Sequence, residues 1–448
     1  MGAASVGSPS IALRGTARQA GDPAVPAHPA PPAPDLRVDA RALRERIEKL
    51  STFGRPDGGT FADGVSRIAY SDADIEGRRY VMGLMTAAGL RPSIDPAGNI
   101  FARRPSTENR LPPILFGSHI DSVPNGGNFD GDLGSLSALG VLEALQAADV
   151  RTRHPLEMVV WAHEEGFAFG RGLACSRIVA GEVTAGDMDE VWNGMRRGEA
   201  IRRIGGNPDR ILEARRPKGA HHCYLELHIE QGGTLERAGV PVGVVEGIVA
   251  IDKYDAVVTG FANHAGTTPM DQRQDAMLAA AKFTVAINDA VRAVPGRTVA
   301  TVGRMTVSPN TTNVIPGAVV LTVDLRDLDP AKLTHFTSTF ERLASEIGTA
   351  TKTTFAFKSL VNSAPAISDG TVMQWIDASA TALGLTRQRM PSGAGHDAQE
   401  VAHIAPMAMI FVPSVGGISH SPKEFSKPED VANGGHVLLN AVIAADKG

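Results

Sequence analysis

The sequence predicts an α/β protein: a mixed, mostly parallel sheet flanked by helices, with a smaller α+β unit inserted into it. Three observations lead there. PILFG at 113–117 and MVVWA at 158–162 are apolar runs without alternation, as in strands buried on both faces of a parallel sheet. Strand-like and helix-like segments alternate along the first half of the chain. From about Val244 the texture changes to longer, alternating strands paired with two helices, and 448 residues exceed what one core usually organises.

The elements follow in order. Residues 1–35 form a tail whose GDPAVPAHPAPPAPD stretch, 21–35, has few side chains able to build a core and is expected to be disordered or polyproline-like. Ahead of it, MGAASVGSPSIALRG shows no twin arginine and no signal-peptide core. A cytoplasmic address is therefore expected, with the trailing end of an export signal as the alternative. Folded structure is predicted from Leu36, with a helix through DARALRERIEKLSTFG and a second one opened by Ser71 and Asp74 as a capping box, its face made by Tyr80, Val81, Leu84 and Met85. Strands are expected at NIFAR from Asn99, PILFGSH from Pro113 and LEMVVWAHEE from Leu156, with a helix from Ser135 to Gln146 between the last two.

The inserted unit, 246–363, is read from the strand-like segments VVEGIVAIDKYDAVVTGF, TVATVGRMTVSP and AVVLTVDLRDLD and the helix-like DAMLAAAKFTVAINDAV and AKLTHFTSTFERLASEIG. It separates two parts of a catalytic domain, 36–245 and 364–448. The second part reads as helix, the apolar strand PMAMIFVPS, and a closing helix from Val431 to Ala445. A net charge of −5 gives no reason to expect nucleic acid or an anionic membrane as partner, and no apolar run reaches 18 residues. Two cysteines exclude a disulfide framework and a cysteine-rich zinc site, so any metal must be held by nitrogen and oxygen.

Five pieces carry chemistry. GSHIDSVPNGGNFDG, 117–131, places His119 at the end of a buried strand, where α/β proteins build their sites. Asp121 lies in reach to hold the imidazole in one tautomer, and Asp130 follows a glycine-rich loop. WAHEEG, 161–166, sets Glu164 and Glu165 at another strand end, one able to bind metal while the other moves protons. LELHIEQGGTLE places His228 in a short alternating strand. FANHAGTTPM, and SGAGHDAQ with GGISHS, complete the set. His119, His228, His420, Asp130 and Glu165 are the right number and kind of donors for two metals sharing one bridge.

Taken in this order, the motifs resemble the hydantoinase/carbamoylase branch of the zinc aminoacylase and carboxypeptidase superfamily, over about residues 36–446. The resemblance implies a zinc-peptidase-like catalytic domain with an inserted lid or dimerisation domain, a homodimer, and two divalent ions per subunit. Zinc suits the donors best; manganese, cobalt and nickel fit them too. It assigns His119, Asp130 and His228 to one ion and Asp130, Glu165 and His420 to the other, with Asp130 as the bridge. Glu164 becomes the general base, and His264 the stabiliser of the tetrahedral oxyanion. Gln231, Asn313, Arg326 and Gly395 become substrate contacts, the arginine fork suiting a carboxylate. His396 and Asp397 shape the site. The implied reaction is hydrolysis of a carbamoyl or ureido C–N bond in a small carboxylate. An N-carbamoyl-L-amino acid is the first expectation, and allantoate or ureidoglycolate the second. An N-acyl amino acid hydrolase or dipeptidase is disfavoured by His228, and a non-catalytic metal-binding partner protein by the complete ligand set.

Overall fold

The protein, seen in a computed structural model, is described at residues 1, 2 and 36–448. The Gly21–Asp35 stretch lies outside the described residues, as does the question of an export signal. Among the described residues no helix is long and apolar enough to cross a membrane.

The larger sheet runs Ile100–Arg104, Leu156–Trp161, Ile114–His119, Cys223–Ile229, Met407–Val412, Val242–Ile248. Its four middle strands are parallel, its flanking ones antiparallel, and Arg387–Ser392 adds to Val242–Ile248 in parallel. Every residue of Ile114–His119, Leu156–Trp161 and Met407–Val412 is buried, because helices cover both faces. On one face lie Ala40–Leu50, Asp72–Ala87, Asp132–Ala147 and Pro428–Lys447, packed through Leu43, Val81, Leu139 and Leu438. The first opens on Asp39, which accepts from the Ala42 amide at 2.9 Å, and the second where the sequence places a cap, Ser71 accepting from the Asp74 amide at 3.2 Å. Asp74 does not complete the box; its carboxylate takes the Tyr70 amide instead.

Cys223–Ile229 is buried at all seven positions rather than alternating as predicted, since it sits in the middle of the sheet. The predicted continuous strand from Val244 divides. Val242–Ile248 stays in the larger sheet, and Ala250–Thr259 opens a separate four-stranded one. That smaller antiparallel sheet runs Val299–Ser308, Ala318–Asp327, Ala250–Thr259, Thr354–Asn362. Helices Ala276–Arg292 and Pro330–Thr351 cover one of its faces, seating Phe283, Ile287, Phe336 and Phe340 on Val319, Leu321, Val323 and Leu325. The strict alternation of Ala318–Asp327 between buried and half-buried is that of a sheet covered on one side. This is the inserted α+β unit. Thr354–Asn362 escapes the sequence reading because, as an exposed edge strand, it lacks a buried apolar face.

One buried ion pair ties the first helix to the functional end of the sheet. Arg67 donates to the carbonyls of Leu50 and Phe53 at 2.9 and 3.1 Å, to that of Ile120, and to the carboxylate of Asp132. Ile120 and Asp132 flank the His119 and Asp130 positions, so this cation fixes both ends of the loop between them. Loss of one partner would strand a buried charge, at a cost of about 3–5 kcal/mol.

Candidate active site

His119 ends its strand, Trp161 is followed by the Glu164–Glu165 loop, and His228 is the penultimate residue of Cys223–Ile229. His420 lies on the loop after Met407–Val412. Four parallel strands thus deliver their chemistry to one end of the sheet, and two groups of donors result. His119, Asp130 and His228 form the first; Asp130, Glu165 and His420 form the second, and within each the donor atoms lie within 4.8 Å of one another. Asp130 belongs to both. Its Oδ1 faces His228 Nε2 at 3.1 Å and His119 Nε2 at 3.4 Å, while its Oδ2 faces His420 Nε2 at 3.4 Å. Glu165 closes the second group at 3.3 Å from His420.

Local backbone makes room for this. Gly131 has φ +66°, and a Cβ there would lie 2.5 Å from the His119 ring. His228 Nδ1 meets the Ile229 carbonyl at 2.9 Å, which directs Nε2 at Asp130. For His119 the sequence reading needs correction. The orienting acceptor is the main-chain carbonyl of Asp121, 3.0 Å from Nδ1, whereas the Asp121 carboxylate stands 3.8 Å away. That carboxylate instead takes the amides of Glu164 and Glu165, at 3.1 and 3.3 Å, and so holds the loop that carries both glutamates.

The electrostatics are those of charges crowded out of water. Burial pushes Asp130 up, but His228, His119 and His420 outweigh it and hold the carboxyl well below its usual range. Burial, with Glu165 and other acids nearby, drives Glu164 well above the ordinary glutamate value. Glu165 rises to about 8 through burial and Asp130. His420 rises to about 9 through its contact with Asp130. His119 Nε2 and Glu165 Oε1 are buried without a hydrogen-bond partner. Such orphaned donor atoms, in a set of three imidazoles and two carboxylates, fit divalent cations.

Both groups open on a cavity of about 1230 Å³ between the larger sheet and the inserted unit. Glu164, Gln231, Gly395 and Arg326 line it. Gln231 Nε2 reaches Asp130 Oδ2 at 2.7 Å; Arg326 is paired with Asp324 and donates to the Gly393 carbonyl at 2.8 Å, across the two units. His396 is buried beside His228, ring centroids 4.5 Å apart, and its Nε2 meets Ser392. Asp397 is wholly buried behind the site. His264 and Asn313 are not part of this cavity. They lie exposed where Asn263–His264 pairs with Val314–Ile315. The amides of Gly266 and Thr267 donate to His264 Nδ1 at 3.0 and 3.2 Å, leaving Nε2 as the outward donor.

Sequence reasoning missed Ser419 and Glu424, which hold Asp130 from behind. Ser419 stands inside the GGISHS motif, a signal available but unused; Glu424 gave none. A third group, Glu182, Glu400 and His403, lies on the cavity rim, where Arg177 already pairs with Glu182 at 3.1 Å.

A mostly parallel sheet with an inserted α+β unit, with nitrogen and oxygen donors gathered at its carboxyl end, is the arrangement of a site able to hold divalent cations. The sequence model of peptidase family M20/M25/M40 matches residues 115–444. The chain is 37% identical to an N-carbamoyl-L-amino acid amidohydrolase of Geobacillus stearothermophilus, covering 90% of this chain and 98% of that one. It is 36% identical to a ureidoglycolate hydrolase of Arabidopsis thaliana, covering 90% and 86%. A hydantoinase/carbamoylase family amidase from Burkholderia multivorans has a similar structure: TM-score 0.85, 34% identity, 92% of this chain and 99% of that one. The chain belongs to peptidase family M20/M25/M40, and within it to the amidohydrolases of the hydantoinase/carbamoylase group.

Proposed function

We propose that the protein hydrolyses the carbamoyl C–N bond of N-carbamoyl-L-amino acids, giving the amino acid, ammonia and carbon dioxide, with two divalent ions per chain. The observation that carries this reading is the pair of donor groups sharing Asp130, set beside Glu164 in a cavity whose opposite wall bears Arg326. His119, Asp130 and His228 would hold one ion, and Asp130, Glu165 and His420 the other, zinc being the best match to the donors. When bound, such a pair polarises a scissile carbonyl and acidifies water.

Glu164 lies with Oε2 3.9 Å from His119 Nε2 and takes no ligand position. It accepts the proton of the attacking water and returns it to the leaving nitrogen, so that one water is consumed and the carbamate released decays to ammonia and carbon dioxide. The Asp121 carboxylate acts by holding this loop. Arg326 turns from Asp324 toward the substrate carboxylate, and Gln231 and the backbone at Gly395 complete the contacts.

The inserted unit is read as the dimerisation surface. It exposes Met277, Leu278 and Val285 on one helix and Val299 and Met305 on an edge strand. Pairing of two copies there would bring the Nε2–H of His264, with Asn313, into a partner's cavity, where it donates to the developing oxyanion. Ureidoglycolate or allantoate is the alternative substrate, since both carry a ureido group and a carboxylate and the same residues serve them. Ammonia release by metal-loaded protein from N-carbamoyl-L-amino acids, allantoate and ureidoglycolate, with free-amine release from N-acetyl amino acids and dipeptides, tests the reading. Turnover of carbamoyl amino acids is expected; turnover of acyl or peptide substrates alone would reject it.

A further inference from the structure

Asp130 offers its two oxygens to different neighbours, and only one of them is braced from behind. Oδ1 faces His119 and His228 and meets no other side chain among the described contacts. Oδ2 receives Ser419 Oγ at 3.1 Å, besides Gln231 from the cavity side. Ser419 Oγ lies in turn 2.8 Å from Glu424 Oε2. The other oxygen of Glu424, Oε1, accepts the amides of Phe129 at 2.9 Å and Asp130 at 3.1 Å. Glu424 is 2% exposed and fits so closely under this loop that a Cβ on Gly127 would stand 2.1 Å from its Oε1. Phe425, the next residue, packs edge-on against Phe129, ring centroids 5.7 Å apart.

We propose that Ser419 and Glu424 are positioning residues that aim Asp130 Oδ2 at the ion held by Glu165 and His420, and so set that ion's affinity separately from its neighbour's. The inference deepens the two-ion reading above and rests on it. An ionised carboxylate only accepts hydrogen bonds, so the lone pair left for a cation depends on which donors occupy the others. Glu424 fixes the backbone of Asp130 and stands beside the serine, and the serine's single O–H, when donated to Oδ2, fixes the torsion of the carboxylate. Ser419 and His420 are adjacent in sequence, so the segment that supplies a ligand of the second ion also braces the shared one. Hydrogen-bond partners behind a metal ligand commonly govern 10–100-fold in affinity.

The test is calorimetric titration of metal-free protein with Zn²⁺, with bound zinc counted after gel filtration. Variants are Ser419→Ala, Glu424→Ala and Glu424→Gln, with His420→Ala as the reference for loss of the second ion. Wild type is expected to take up two ions. Ser419→Ala should leave one step unchanged and weaken the other by about 10–100-fold, the step missing in His420→Ala; Glu424→Ala, which also frees the Asp130 backbone, should weaken that same step more than its neighbour. Glu424→Gln should keep both, because its amide oxygen still accepts the two backbone N–H groups and its NH₂ donates to Ser419 Oγ, which leaves the single hydroxyl proton for Asp130. Equal weakening of both steps, no weakening in Ser419→Ala, or loss in Glu424→Gln matching that in Glu424→Ala, would each overturn the inference. Should Glu424→Ala not fold, Ser419→Ala decides, since it removes one hydroxyl and no packing. A wild type that binds a single ion would bring down the two-ion reading itself; two ions in wild type with unselective variants would reject this inference alone.

Discussion

The two places where the sequence puts catalytic side chains differ in every physical respect. Around Asp130, His119 and His228 are buried, Glu165 is half-buried and only His420 is exposed; the donors are drawn from four adjacent strand ends and held from behind by hydrogen bonds. His264 and Asn313 are exposed on a short two-stranded ribbon of the inserted unit and take no part in the cavity. A charged cluster has to be assembled by the fold itself, because desolvated carboxylates and imidazoles tolerate no error of position. A group that acts only when substrate is bound can wait in water for a second subunit or for closure. On the proposed reading, the floor of the site belongs to one chain and its roof is delivered to it.

Removing the shared ligand strikes the floor hardest. Asp130→Ala should lose both ions and bring turnover to the background rate, measured by bound metal and ammonia release; retention of one full ion would break the shared-bridge geometry. His264→Ala should lower kcat by about 10²–10³-fold with metal content unchanged. Mixing it with a Glu164→Gln protein should restore activity, as hybrid dimers regain one complete site; absence of restoration would place the roof in its own chain. Arg326 belongs to the inserted unit yet lines the cavity, so it lies between the two cases. Arg326→Lys should raise KM by about 10-fold with kcat little changed, read from initial rates.

The smallest effect lies away from both places, in the larger unit. His436 Nδ1 accepts the Val38 amide at 3.3 Å, and burial, with the charge of Arg37, lowers its pKa to about 4. The unfolded value is about 6.5, so the folded chain binds fewer protons between the two. The contact's stability is present above pH 6.5 and is lost as pH falls toward 4, at most about 1 kcal/mol given its partial exposure. The protection factor of the Val38 amide, its exchange corrected for the intrinsic pH dependence, should fall as pH drops across that window and not in His436→Gln.

The sequence carried those features that local pattern can encode. His119, Glu164, Glu165 and His228 follow apolar strands, so the end of the run marks the end of the sheet, and alternation along Ala318–Asp327 marks a one-sided strand. What it hid depends on distant partners. No periodicity tells that Val242–Ile248 and Ala250–Thr259 join different sheets, since both read as one run. Nor does spacing show that the Asp121 carboxylate turns from His119 to the amides of Glu164 and Glu165, or that Glu424 braces Asp130 from 294 residues away. Those are decisions of loop packing, taken after the strands have formed.

If one chain assembles a complete two-ion floor, Glu164 is the base that works above it. Glu164→Gln tests this most directly, with bound zinc and ammonia release from an N-carbamoyl-L-amino acid measured on the same sample. Two ions per chain, as in wild type, with kcat reduced by about 10³–10⁴-fold, is the predicted result. Wild-type turnover by the variant would show that Glu164 is not the base.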